Sequence, residues 1–168
     1  REYIIVDSKE KEFDYPLGDE NAQTIYQGQG GIYVSSLVRR LAFALRFRDY
    51  EIGLADAITS KSRLIFNREI RGRVSSIAPF LMYDEDPYPV IHDGRVFWMM
   101  DAYTVSRAYP FSQPSPRGMN YIRNSVKVTV DAYDGTVRFY MFDPKDPVVQ
   151  TDRKSVVEGK SVDIGGGR

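Results

Sequence analysis

Two Asp-Gly dipeptides, each set between apolar runs, constrain this chain more than any other feature. In "YPVIHDGRVFWMMDAYT" the pair is Asp93-Gly94, and in "SVKVTVDAYDGTVRFYMF" it is Asp134-Gly135. A tight reversal needs backbone at positive φ, which Asp tolerates and Gly adopts freely, so each stretch predicts a β-hairpin. In the second, Val126, Val128, Val130 and Ala132 alternate with Lys127, Thr129, Asp131 and Tyr133. That period of two predicts one buried face and one wet face. In the first, Val96 to Met100 is apolar without alternation, as in a central strand covered on both faces or one lying against a missing neighbour domain. "DGRVFWMM" and "DGTVRFYM" echo each other, and "DAY" occurs at Asp101 and at Asp131. Two copies are too few for a repeat array. They read as two hairpins side by side in one antiparallel sheet.

Upstream, Tyr3 to Val6 reads as a strand, and Lys9 to Ala22 as a polar, turn-rich stretch holding Pro16, Gly18 and Asn21. Gly28, Gly30 and Gly31 then break the chain before a helix. Val34, Leu37, Val38, Leu41, Ala42 and Leu45 follow one helical face, with Ser35 or Ser36 as its cap and an end near Arg48 to Tyr50. Gly53 weakens any continuation, though a short helical piece to Ile58 stays open. "TSKSRLIFNREIRGRVSSIAPF" predicts a second helix, capped by Thr59 or Ser60, with Phe66, Ile70, Val74 and Ile77 on one stripe. Pro79 stops it. The segment from Arg107 to Gly118, with Pro110, Pro114 and Pro116, is a connecting loop. The expected fold is α+β: two amphipathic helices packed on a four- to five-stranded antiparallel sheet built from the two Asp-Gly hairpins, as a single domain over residues 1–151.

Composition narrows the chemistry. Lys+Arg and Asp+Glu number 23 each, so charge gives no hint of nucleic acid, and no nucleic-acid partner is expected. With no Cys and a single His, His92, disulfides and a structural zinc site are excluded, and no cofactor or metal is expected. No apolar run approaches the roughly 20 residues needed to span a bilayer. No signal peptide precedes the first strand, and both ends read as cut from something longer. "DRKSVVEGKSVDIGGGR", residues 152–168, reads as a disordered terminus and resembles the translated read-through of a sequencing adapter, so it is set apart from the fold. Its Gly159-Lys160-Ser161 mimics the end of a phosphate-binding loop, but Lys154 stands where that motif needs Gly.

"EFDYP" (Glu12 to Pro16), "GQGG" (Gly28 to Gly31), "RRLAFALRF" (Arg39 to Phe47), "APFLMYDEDPYPV" (Ala78 to Val90), "DGRVFWMMDAYT" (Asp93 to Thr104) and "NYIRNSVKVTVDAYDG" (Asn120 to Gly135) resemble, in order, one family. It is the uncharacterised protein family (UPF) 0182 of large bacterial membrane proteins, and the resemblance spans Glu2 to Val148. It implies an N-terminal set of transmembrane helices followed by a large soluble region outside the cytoplasm, to which these residues would belong. The implied location is the plasma membrane of a bacterium, with this segment on the extracytoplasmic side. The family brings no agreed activity and no catalytic residues to carry over.

Several clusters are candidate sites, each with a plainer reading. Gly28, Gly30 and Gly31 precede a helix N-terminus, where anions bind, yet Tyr33 breaks the dinucleotide pattern and a turn suffices. Arg39, Arg40, Arg46, Arg48, Lys61, Arg63, Arg68, Arg71 and Arg73 crowd the helical third. Of these, Arg39, Arg40, Arg68 and Arg71 are the candidates for contact with an anionic surface, lipid headgroups or wall polymers; the plainer reading is a solvated face. Asp84, Glu85 and Asp86 lack calcium-loop spacing and read as a turn. His92 has no nucleophile motif to serve. Asp101 and Asp131 would act as an acid and base if the strands bring them about 5–9 Å apart. Tyr83, Tyr88, Tyr103, Tyr109, Phe111 and Tyr121 are a candidate carbohydrate or peptide platform, or simply loop and core packing. The expected function is a non-catalytic, extracytoplasmic structural or interaction segment whose partner is the remainder of a parent membrane protein. The alternative is a cell-envelope hydrolase using the carboxylate pair.

Overall fold

A computed structural model describes residues 2–151 and the backbone of residues 161–162. The chain divides into two compact units between Arg68 and Glu69.

The first unit holds strands β1 (Tyr3–Val6), β2 (Glu12–Leu17), β3 (Glu20–Thr24), β4 (Ile32–Tyr33) and β5 (Arg63–Phe66), with helices α1 (Leu37–Phe47) and α2 (Glu51–Leu54). β5 lies between β1 and β4, antiparallel to both, with Tyr3 opposite Phe66 and Ile32 opposite Leu64. The stretch read as polar and turn-rich is a separate hairpin, β2 with β3, reversing at Gly18. The core is Tyr3, Val34, Ile52, Ile58 and Leu64, with Phe43, Ala44, Phe47 and Phe66 packed against it.

Two helical expectations need correction here. Residues 63–66, expected inside the second helix, form a strand. Leu64-Ile65-Phe66 is a contiguous apolar run that suits a strand paired on both edges, and Asn67 then takes a left-handed conformation that ends it. The cap of the following helix is therefore Glu69, not Thr59 or Ser60. Its carboxylate accepts the backbone N–H of Arg71 at 2.9 Å and that of Gly72. The second correction concerns α1, whose extent matches but whose inner face does not. Leu37, Val38, Leu41 and Leu45 are 64%, 75%, 56% and 82% exposed, while Phe43, Ala44 and Phe47 face the core. The helix is apolar around most of its circumference, so the spacing admits two inner faces, and the one with the large aromatic rings is buried.

The second unit holds α3 (Ile70–Ile77), β6 (Met82–Tyr83), β7 (Tyr88–His92), β8 (Arg95–Ser106), β9 (Tyr121–Asp131), β10 (Val137–Met141), α4 (Pro147–Thr151) and β11 (Ser161–Val162). The sheet runs β11-β10-β9-β8, with β6 and β7 both pairing β8, and every pairing is antiparallel. Both hairpins are present. Asp93 and Gly94 each have positive φ, the two-residue turn that the dipeptide predicts. The second reversal is wider, running from Asp131 to Thr136. Ala132 therefore lies beyond the strand and is exposed, whereas Val126, Val128 and Val130 are buried. Met100, Ala102, Val126, Val128, Val130, Val137 and Phe139 from the sheet meet Val74 and Ala78 of α3 and its end, Leu81, and Val149 of α4. β8 is central, as expected, but only one of its faces enters this core. The class is α+β as read, with each long helix in a different unit: α3 on the hairpin sheet, α1 on β1-β5-β4. Of the tail set apart at residue 152, only the backbone pairing of Ser161–Val162 with Arg138 and Val137 falls within the described residues.

The two Asp-Gly turns sit at the same end of the sheet and are tied together. Arg95 Nη2 lies 2.8 Å from Asp131 Oδ2 and 2.9 Å from Asp134 Oδ2. From α3, the buried Arg73 donates from Nε to Gly135 O at 2.7 Å. A Cβ at Gly135 would stand 2.6 Å from Arg73 Nη2, at a φ of +68°. Gly135→Ala is expected to lower the unfolding free energy by about 1–3 kcal/mol, from left-handed strain and displacement of the guanidinium. Urea unfolding followed by the fluorescence of Trp98, the single tryptophan, measures it.

Candidate functional site

The feature that stands out from the packing is the outer face of α1. Leu37, Val38, Leu41 and Leu45 form an aliphatic ridge over three turns, and Tyr50 and Leu54 beyond it are also exposed. α2 runs alongside, close enough that a Cβ at Gly53 would touch Leu41 Cδ2 at 3.8 Å. α1 carries no acidic residue. Its cations are held close to the protein: Arg46 lies over the rings of Phe47 and Phe66, at 5.6 and 5.1 Å. Arg39 donates to Tyr33 O at 3.3 Å. Arg40 is a structural tie, with Nε on Val34 O at 2.9 Å and Nη2 on Ile58 O at 3.1 Å.

The four arginines singled out as an anionic-surface contact therefore do not act alike. Arg40 is partly buried and bound to backbone carbonyls, while Arg39, Arg68 and Arg71 are exposed. Arg39, Arg40 and Arg68 belong to the first unit and Arg71 to the second.

The glycine cluster is packing, not a phosphate cradle. Gly31 sits against β5, where a Cβ would meet Ile65 Cγ1 at 2.9 Å. Gly30 N–H donates to the Tyr26 hydroxyl at 3.1 Å, and Gly28 O accepts from Arg63 Nη1 at 3.0 Å.

The carboxylates of the sheet are separated and engaged. Asp101 is opposite Lys127 and ion-paired with it; that hydrogen bond, against the cost of burial, holds the Lys127 ammonium above its usual range. Asp131 is opposite Phe97, four positions further along β9, which is about 13 Å. An acid–base pair built from Asp101 and Asp131 is thus ruled out by register. Asp131 instead closes its own turn, Oδ1 accepting from the N–H groups of Tyr133 and Asp134 at 2.9 Å each. His92 and Asp93 are exposed, 3.4 Å apart. Asp84 turns back on itself, accepting from Glu85 N at 2.7 Å. Among the described residues no group of three or more His, Asp or Glu side chains is placed to hold a metal. The aromatics do not form one platform. Tyr83 is core, donating to Val74 O and Ala78 O at 3.2 and 2.8 Å, and its burial pushes the hydroxyl well up. Tyr109 and Tyr121 stack at 4.5 Å in another place.

The sequence profile of the uncharacterised protein family UPF0182 matches residues 1–155. The chain belongs to UPF0182. A UPF0182 protein of Sulfurovum sp. (strain NBC37-1) is 49% identical over 159 residues, covering 91% of this chain and 17% of that relative. One of Desulforamulus reducens is 51% identical over 154 residues, covering 90% and 16%. One of Moorella thermoacetica is 47% identical over 152 residues, covering 89% and 17%. The chain therefore spans 16–17% of the length of these curated relatives and is a fragment of a larger protein. No solved structure matches. The UPF0182 match runs four residues into the segment set apart at 152, and nothing in it supports an adapter origin for that segment. No helix among the described residues is long and apolar enough to cross a membrane.

Sequence reading missed one centre in this UPF0182 fragment, around the fully buried Asp146. Its carboxylate accepts from the hydroxyls of Thr104 and Ser125, from Tyr121 at 2.7 Å, and from Val148 N–H at 2.9 Å. Burial pushes its pKa up, but the hydrogen bonds from Ser125, Thr104, Tyr121 and Val148 outweigh it and leave the group below its ordinary value. The signal was present in Asp146-Pro147, a capping Asp followed by Pro at the first helical position.

Proposed function

We propose that this segment is a non-catalytic structural and interaction piece of a longer bacterial membrane protein, lying on the extracytoplasmic side, and that the outer face of α1 is covered by the remainder of that protein. The observation that carries the reading is the aliphatic ridge of Leu37, Val38, Leu41 and Leu45, exposed on a chain that spans 16–17% of its relatives. A helix apolar on both faces belongs inside a larger assembly. Burying each such side chain stabilises by about 1.5–3 kcal/mol, so the ridge favours a permanent neighbour within the same polypeptide. The exposed Arg68 and Arg71, and Arg39 beyond its one bond to Tyr33 O, stay available to anionic headgroups or wall polymers. The hydrolase alternative loses its support with the Asp101–Asp131 separation.

Cysteine labelling tests both parts, because the chain has no cysteine of its own. Leu41→Cys is expected to react quickly with a maleimide in the isolated chain and slowly in a cysteine-free version of the intact parent protein. Equal reactivity in the two would refute the covered ridge. Ser60→Cys, on the exposed surface, is expected to react with a membrane-impermeant maleimide added to intact cells. Labelling only after lysis would put the segment on the other side.

A further inference from the structure

The loop from Arg107 to Asn120 combines a stiff base with a bare tip. At the base, the Asn120 side chain accepts from Tyr109 N–H at 2.9 Å and donates to Tyr109 O at 2.8 Å and Ser112 O at 3.3 Å. The Ser112 hydroxyl donates to Asn120 O at 2.7 Å. The Tyr109 ring stacks on Tyr121, whose hydroxyl is fixed by the buried Asp146. A second turn is closed by Ser115 N–H to Met119 O at 2.7 Å and Gly118 N–H to Ser115 O at 2.8 Å. Pro110, Pro114 and Pro116 further restrict the backbone. Held on this frame, Phe111 is fully exposed and has a φ of +58°, a conformation bulky residues rarely adopt. Strain and exposure on one ring, on a loop otherwise fastened down, mark a residue presented to something outside the fold.

Charge says what that something is. Residues 102–130 contain Arg107, Arg117, Arg123 and Lys127 and not one carboxylate. Arg123 and Lys127 are taken by Asp143 and Asp101. Arg107 and Arg117, on the loop itself, are exposed and form no ion pair among the described residues. Phe111 is flanked along the chain by Pro110, Ser112, Gln113 and Pro114, and it is the one large hydrophobic side chain of the loop that stands exposed. A stable protein–protein contact needs on the order of 1,000 Å² of matched surface, more than one projecting ring supplies. A bilayer interface needs no matched shape: it takes an aromatic ring at the headgroup level and attracts cations beside it when its lipids are anionic.

We propose that the 107–120 loop is a lipid-contacting finger, with Phe111 entering the interface of an anionic bilayer and Arg107 and Arg117 meeting its headgroups. The proposal shares with the preceding section only the nearness of a membrane. It does not involve α1, so labelling at position 41 and lipid contact at position 111 succeed or fail separately.

The test uses this chain with vesicles of phosphatidylcholine alone or mixed equally with phosphatidylglycerol. Phe111→Trp is expected to shift its emission to the blue on addition of the mixed vesicles at low salt, with Trp98 in the unmodified chain as the reference. The shift should be smaller with phosphatidylcholine alone and should reverse at high salt. Phe111→Ser is expected to lower the vesicle-bound fraction about tenfold, and the Arg107→Gln, Arg117→Gln double variant about as much. Trp98 emission without vesicles verifies that each variant is folded. An unshifted Phe111→Trp spectrum, or Phe111→Ser binding vesicles like the unmodified chain, overturns the proposal. If Phe111→Trp shifts its emission only when the rest of the parent protein is present, and not with vesicles, the proposal is overturned in favour of a protein pocket.

Discussion

Asp146→Ala is expected to cost the second unit about 3–5 kcal/mol, a large share of the roughly 5–15 kcal/mol that typically holds a domain folded. The carboxylate is fully buried and gathers four donors from three places: Thr104 on β8, Tyr121 and Ser125 on β9, and Val148 N–H in the first turn of α4. Removing it leaves the Thr104 and Ser125 hydroxyls in a dry site, at about 1–3 kcal/mol for each group that finds no new partner. It also deletes the cap of α4, typically worth about 1 kcal/mol. With the cap goes the tie that holds Val149 in the core. Asp146→Asn keeps an acceptor oxygen and the volume, and the hydroxyls can rotate, so its loss is expected to be smaller, about 1–2 kcal/mol. Urea titration followed at Trp98, which packs against the same core, measures both. Equal costs for Ala and Asn would mean that charge, not satisfied donors, is what matters at this site.

The same residue sets an acid limit. Its pKa in the folded chain lies below the ordinary Asp value, because the four hydrogen bonds outweigh the burial that pushes it up. A depressed carboxylate binds its proton more weakly when folded than when unfolded. Its contribution is therefore fully present above the unfolded value, about 4, and is lost as pH falls from there through the lower folded value. Wild-type stability is expected to fall across that acid range with a slope that Asp146→Asn removes in part. Tyr121 is coupled to it from the other side: burial, then the Asp146 hydrogen bond, raises its hydroxyl. Arg123 joins Tyr121 to Asp143, 2.5 Å away, so the chain of contacts extends from the buried carboxylate to the surface.

What the sequence disclosed, and what it hid, follows from how local each signal is. The Asp93-Gly94 turn was legible because two adjacent residues must both take positive φ, and this dipeptide is among the few that do so with little strain. The buried Val126, Val128 and Val130 were legible because a strand's period of two leaves one choice of face. α1 was legible as a helix but not in its orientation. Phe43 and Phe47 sit opposite Val38 and Leu45 in helical phase, and only the partners Tyr3 and Phe66, distant in the chain, decide between them. β5 was misread because Phe66, Ile70 and Val74 keep helical spacing across a boundary that Asn67 and Glu69 create. The candidate site was the least legible part. An exposed ridge, a bare Phe111 and a buried Asp146 are all defined by what surrounds them, and single residue types carry no record of that. The arginines show the same limit, since Arg40 and Arg39 are adjacent in sequence and only Arg40 ties down two carbonyls of the fold.

Gly31→Ala is expected to be the most damaging single-methyl change in the first unit, at about 3–4 kcal/mol. Gly31 leads into β4 with a φ of +92°, outside the range that any L side chain accepts without strain, costing about 1–2 kcal/mol. The steric term adds to this. The new Cβ would stand 2.9 Å from Ile65 Cγ1 and 3.2 Å from both Arg63 Cβ and Leu64 O. One of those three is backbone and another is the first atom of a side chain, so relief requires β5 itself to move. β5 cannot move freely, because it is hydrogen-bonded to β1 on one edge and β4 on the other and carries the fully buried Leu64. The glycine is thus a close approach of two backbones, not a flexible hinge, and a longer side chain should be worse than Ala. Amide hydrogen exchange of β1 and β5 reads the effect directly, with protection expected to fall by two orders of magnitude or more, about 1.4 kcal/mol per factor of ten. Unchanged exchange in β5 would mean that the strand yields where its pairing on both edges says it should not.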